Sequence, residues 1–201
     1  MPDDEAAIKA AVAATTGQLV AFDPVTGKAR WTVDYPTPWN GGTLTTAGGL
    51  VFQGTAMGQM HAYDAGSGDL LWSYDVQSGV LGAPSTFLVD GEQYIAFLTS
   101  KGGAYPLVAG RTGARSGPIP NIPRLVVMKL GGKAKLPALP KTEPIAWDPP
   151  EQFGTPAQVA QGRRLYQRYC LVCHGESAVG GGVLPDLRRA ARPVAARAAA
   201  H

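Results

Sequence analysis

The chain has 201 residues, of which 45% are apolar and 16% charged, and its formal net charge is +3. That apolar share lets most of the chain fold, while the weak charge and the lack of interleaved basic and aromatic residues exclude a nucleic-acid binder. Its 26 glycines and 17 prolines favour short strands and turns over a helical bundle, and no apolar run approaches the roughly 20 residues of a membrane span.

The N-terminal stretch MPDDEAAIKAAVAATTG has acidic residues where a signal peptide is basic, and no long apolar core. By itself that points to the cytoplasm, an expectation that the C-terminal end of the chain reverses. A repeat follows. GQLVAFDPVTGKARWTVD begins at Gly17, and GQMHAYDAGSGDLLWSYD begins 41 residues later at Gly58. The copies share Gly17/Gly58, Gln18/Gln59, Ala21/Ala62, Asp23/Asp64, Gly27/Gly68, Trp31/Trp72 and Asp34/Asp75. A period near 40 residues suits a four-stranded propeller blade.

Within each copy, QLVAF and MHAYD read as strands and ARWTV and LLWSY as their returning partners. DPVTG and DAGSG between them are turns, where aspartate bonds its own backbone and glycine takes positive φ. Further strands are read in GLVFQGT from Gly49 and EQYIAFLTS from Glu92, the latter entered through Val89-Asp90-Gly91. These runs are apolar on both faces, as blades packed between neighbours require. Two repeats cannot close a ring, so more sequence upstream is expected. Asp23 and Asp64 are turn residues rather than catalytic bases, and His61 reads as a packed or half-exposed strand residue.

After Val126-Val127-Met128-Lys129-Leu130 the composition changes. Residues 1–135 are read as propeller blades and 136–155 as a proline-rich, semi-rigid linker. Residues 156–201 are read as a small helical domain. It opens with Thr155 as N-cap and Pro156 in the first turn, and a helix with Val159, Leu165, Tyr166 and Tyr169 along one side. Arg163, Arg164 and Arg168 make a basic face that reads as solvated, or as a guide for an acidic partner.

That helix runs into YCLVCHG, which holds the only two cysteines, Cys170 and Cys173, followed at once by His174. CxxCH spacing lets both thiols reach the vinyl groups of one haem while the histidine faces the iron. Zinc is an alternative, with a fourth ligand from His61, His201 or a carboxylate. So is a redox CxxC pair. In the c-type cytochromes that this motif resembles, a methionine further down the chain completes the iron. Here all methionines (Met1, Met57, Met60 and Met128) precede the motif, so five-coordinate or water-ligated iron is expected, with His201 as a candidate ligand. Haem attachment takes place outside the cytoplasm in bacteria, so the chain is read as periplasmic and as the C-terminal piece of a longer exported protein.

Gly162-xxx-Tyr166-xxx-Cys170 resembles the first helix of class I c-type cytochromes, where the glycine permits close helix packing. Pro185-Asp186-Leu187 resembles the segment whose proline carbonyl accepts a hydrogen bond from the ligand histidine there. AFDPVTGKARW (Ala21 to Trp31) and AYDAGSGDLLW (Ala62 to Trp72) resemble the tryptophan-docking repeats of propeller dehydrogenases that use pyrroloquinoline quinone (PQQ). Blades, linker and haem motif in this order are similar to the quinohaemoprotein alcohol dehydrogenases, from about Ala14 to Leu187.

The resemblance implies a mainly β fold. It is a partial eight-bladed-type propeller of about two to three blades, followed by a small α-helical cytochrome c domain. Trp31 and Trp72 would each pack one blade on the next. Cys170 and Cys173 would hold haem c, with His174 on the iron. Trp39 and Asn40, in PTPWNGGTL, would line the PQQ side, and Ala104, in KGGAY, would offer it a backbone N–H; Lys101 stands where that family carries an aromatic residue.

The implied function is passage of electrons from alcohol oxidation at PQQ, through haem c, to a soluble cytochrome, blue-copper protein or quinone. The substrate would be a primary alcohol. The catalytic aspartate and calcium ligands belong to blades this chain does not contain, so no catalytic residue is assigned and the chain alone is expected to be inactive. The alternative is a non-catalytic electron-transfer or scaffold protein built from the same repeats.

Overall fold

Asp23 and Asp64 set the two repeated hairpins. Asp23 Oδ1 accepts from the Val25 and Thr26 N–H groups at 2.9 and 3.0 Å, and Asp64 Oδ1 accepts from Gly66 and Ser67 at 2.8 and 2.9 Å. Each turn closes with a glycine N–H, Gly27 or Gly68, donating to the aspartate carbonyl. Both hairpins also slip register at the same place, Ala21/Phe22 and Ala62/Tyr63. The repeat seen in the sequence is thus one backbone design used twice.

The computed structural model describes residues 5–100, 119–141, 154–175, 178 and 187–189. Contacts divide the chain into two units, one of Met1–Gly103 with Arg111–Leu139, the other of Ala104–Gly110 with Pro140–His201.

The first unit is built from strands. Helix α1 (Glu5–Ala14) precedes β1 (Gly17–Phe22) and β2 (Ala29–Tyr35), which pair antiparallel as a hairpin. Next come β3 (Thr43–Thr45), β4 (Leu50–Gly54), β5 (Gln59–Asp64) and β6 (Leu70–Asp75), a four-stranded sheet in the order β3-β4-β5-β6. Last are β7 (Ser85–Val89), β8 (Glu92–Thr99) and β9 (Arg124–Lys129), in the order β7-β8-β9. Each repeat is therefore the outer hairpin of a blade, and the middle sheet shows the whole blade. Among the described residues no helix is long and apolar enough to cross a membrane.

Period-two alternation gives the middle sheet two buried faces. Val51 and Tyr63, opposite each other on β4 and β5, join Tyr35 in one core, with Leu19, Trp31 and Val33 of the first hairpin packed against it. Met60, on the other face, joins Val76, Val80, Phe97 and Val126 in a second core against the third sheet. Ser78 ties those two sheets: its Oγ donates to Pro120 O at 2.9 Å and accepts from Ile122 N at 3.1 Å.

Three expectations need correction. The strand runs are not buried on both faces throughout, because β7 is exposed along its length and β6 nearly so. The two tryptophans do not behave alike. Trp31 donates its indole N–H to Ala65 O at 3.0 Å, and its ring lies so close to Gly68 that a Cβ there would come within 2.7 Å of it. Trp72 makes no such bond among the described residues. It stacks on Tyr74 of its own strand, with centroids 5.9 Å apart, and is 40% exposed. Thirdly, the N-terminal stretch, marked in the sequence by its acidic start and lack of a long apolar core, forms α1, since EAAIKAAVAA is rich in strong helix formers.

In the second unit, α2 (Pro156–Tyr169) begins as expected. Thr155 accepts from Gln158 N, and Gln158 reaches back to the Thr155 N–H at 2.7 Å, a full capping box ahead of Pro156. The close packing expected at Gly162 is absent among the described residues: nothing lies within 4 Å of a Cβ placed there, and the helix has no buried residue.

Candidate functional site

Helix α2 hands the chain directly to α3 (Leu171–His174), a single turn. Cys170 caps both helices, its N–H bonding Tyr166 O while its own carbonyl accepts from Cys173 N and His174 N at 3.2 and 2.9 Å. Gly175 N then bonds Leu171 O at 2.8 Å. The turn presents two free thiols, Cys173 exposed and Cys170 half-buried.

Among the described residues no three of His, Cys, Asp and Glu gather around a common point. Zinc would need its ligands about 2.0–2.3 Å from one centre. Covalent haem asks for something else: thiols spread along one edge of a macrocycle with the imidazole directed at its middle, and a CxxCH turn of this kind fits that donor set. His201, Pro185 and Asp186 lie outside the described residues. Arg168, on the basic face, sits with its guanidinium 5.3 Å from the centre of the Tyr169 ring.

The second candidate region is the loop between β2 and β3. Trp39 has φ of 65°, left-handed backbone that costs a non-glycine residue about 1–2 kcal/mol, yet its side chain is 50% exposed. Asn40 is committed locally, with Nδ2 donating to Thr37 O at 2.9 Å and Oδ1 accepting from Ala56 N at 3.1 Å. Its amide pins the loop to the β4–β5 turn and thereby holds Trp39. Ala104 lies outside the described residues.

Beside this loop a cleft of about 360 Å³ is lined by Tyr35, Thr37, Asn40, Thr55, His61 and Tyr63, among others. Its wall includes a polar cluster that the sequence did not reveal. Tyr35 Oη donates to Gln53 Oε1 at 2.8 Å, Gln53 Nε2 donates to Gly41 O at 2.8 Å, and the Tyr35 and Tyr63 hydroxyls are 2.7 Å apart. With the Tyr35 proton given to Gln53, Tyr63 is the donor between them. Burial pushes the pKa of both phenols up. His61 stacks on Tyr35 and meets Tyr63 edge-on. Burial lowers its pKa, and neither its Nδ1 nor Thr37 Oγ1 has a hydrogen-bond partner among the described residues.

A family model described as outer membrane protein assembly factor BamB (PQQ_2) matches residues 15–116. The chain is 48% identical to quinohemoprotein alcohol dehydrogenase ADH IIB of Pseudomonas putida, over 88% of this chain and 26% of that protein. The solved structure of quinohemoprotein alcohol dehydrogenase ADHIIG from Pseudomonas putida HK5 superposes with a TM-score of 0.80 at 46% identity, covering 89% of this chain and 26% of that one. That of the Comamonas testosteroni quinohemoprotein alcohol dehydrogenase gives 0.69 at 40%, covering 88% and 25%. The chain thus spans about a quarter of the length of the curated relatives it matches.

Proposed function

Because the chain belongs to the PQQ_2 propeller family and is related along most of its length to quinohaemoprotein alcohol dehydrogenases, we propose that it is the electron-exit part of a periplasmic, PQQ- and haem-dependent alcohol dehydrogenase. In this reading residues 1–135 are propeller blades, 136–155 a linker and 156–201 a cytochrome c-like domain. The substrate of the whole enzyme is a primary alcohol. The final acceptor is a soluble cytochrome, a blue-copper protein or a quinone.

The observation that carries the proposal is the α3 turn, with Cys170, Cys173 and His174 in one chain with blade-forming sheets. Cys170 and Cys173 would form the thioether links, and His174 would supply the imidazole ligand. Haem bound there supplies one-electron transfer, and the protein sets its position and surroundings. On the sheet side, Trp39 would offer its exposed ring to the flat face of PQQ while Asn40 fixes the loop and Ala104 provides a backbone donor. No residue of this chain is assigned as the base that takes a proton from the alcohol.

A haem stain on a denaturing gel tests the reading, after export of the chain together with the cytochrome c maturation machinery. A stained band at the mass of the chain is expected, weakened by Cys170→Ala and lost when Cys173→Ala is added. An unstained wild-type band would overturn the haem assignment and favour a scaffold built from the same repeats.

A further inference from the structure

Tyr166 lies one turn before Cys170 on α2, and its hydroxyl donates to the Gly175 carbonyl at 2.5 Å. Gly175 directly follows His174, so this bond fixes the backbone where it leaves the histidine. The Ala178 N–H donates to the same carbonyl at 3.2 Å. Ala178 O accepts in turn from Leu187 N at 2.9 Å. One phenol therefore connects the helix before the motif, the exit from it and a segment further down the chain.

The turn is held against a backbone cost. Gly175 has φ of 72°, and Ala178, with a side chain, has φ of 60°. A non-glycine residue stays in that region only where the bonds around it over-determine its conformation. Among the described residues neither α2 nor α3 contributes a buried residue to hold it. Hydrogen bonds hold it, and the Gly175 carbonyl that Tyr166 bonds lies at their centre.

We propose that Tyr166 is a positioning residue for the histidine ligand, its hydroxyl holding the Gly175–Ala178 turn so that His174 keeps a single orientation towards the iron. This rests on the haem reading above. Groups that orient a ligand imidazole also sustain its donor strength. An imidazole that wanders stabilises the oxidised iron less, and the reduction potential rises.

Tyr166→Phe keeps the ring and removes only the hydroxyl. In the haem-loaded full chain three results are expected: staining equal to the wild type, a higher reduction potential, and amide hydrogen exchange at Ala178 faster by about fivefold, the worth of one ordinary hydrogen bond. A stained variant with an unmoved potential overturns the positioning role, even if exchange at Ala178 speeds up, because the bond is then merely structural. Unchanged exchange overturns the bond itself. Failure of the haem reading looks different, since the wild type would then carry no stain.

Discussion

His61 sits on β5 where the first repeat has Val20, and burial between sheets makes its charged form unfavourable. The folded chain therefore takes up this proton only below the ordinary histidine value of 6.5, whereas the unfolded chain takes it up at that value. Between those two points the unfolded state holds the extra proton. Stability is accordingly full above pH 6.5 and falls as the solution is acidified through that value towards the lowered one. The urea midpoint should drop between about pH 7.5 and about pH 5.5, and His61→Gln should remove most of the drop. A drop that persists in full in the variant would assign it to another group. This environment is not legible from the repeat alone, because the Tyr35 ring that stacks on His61 comes from β2, in the neighbouring sheet. In the repeat, Phe22 corresponds to Tyr63 and Val76 to Tyr35, so the two hydroxyls of this cluster occupy positions where the copies differ. CxxCH was legible because all its chemistry lies within five consecutive residues.

Trp31 and Trp72 are the same residue in two copies of one hairpin, yet among the described residues it is Trp31 that rests on a following turn. Its indole reaches Ala65 O and its ring covers Gly68, so its loss would open the contact between the first hairpin and the middle sheet. Trp31→Ala should cost about 3 kcal/mol in urea unfolding, the low end for a large aromatic because its ring is not fully buried. Trp72→Ala should cost about 1 kcal/mol, mainly the stack with Tyr74. Equal costs would mean that both rings are docked alike. Hairpins and their turns could be read from the sequence, since aspartate, glycine and alternation act within a few residues. The docking of each tryptophan could not, because it depends on what the next blade offers. The three-residue β3 is not legible in the sequence for a related reason: Thr43–Thr45 carries too little pattern of its own and pairs because β4 lies beside it.

At the scale of the whole molecule, the first hairpin and the middle sheet share one core and the middle and third sheets another, but the third sheet has a second face. Phe97 and Val126, opposite each other on β8 and β9, point into the core. One residue further along each strand, Leu98 and Leu125 are also opposite each other, and are 64% and 67% exposed. Val127, Phe87 and Val89 lie on this same outward face and are exposed as well. A contiguous apolar face of this kind promotes association and binds hydrophobic dyes. Replacing the exposed pair by Leu98→Lys with Leu125→Glu puts opposite charges across the two strands, an arrangement sheets tolerate well. Dye fluorescence and concentration-dependent self-association should fall, while unfolding free energy should stay within about 0.5 kcal/mol of the wild type. Phe97→Lys, one residue away but facing inward, should by contrast prevent folding, since it buries an unpaired ammonium. If the outward pair proved as damaging as Phe97→Lys, that face would have to be covered in solution. The comparison therefore tests directly which side of β7-β8-β9 the core occupies.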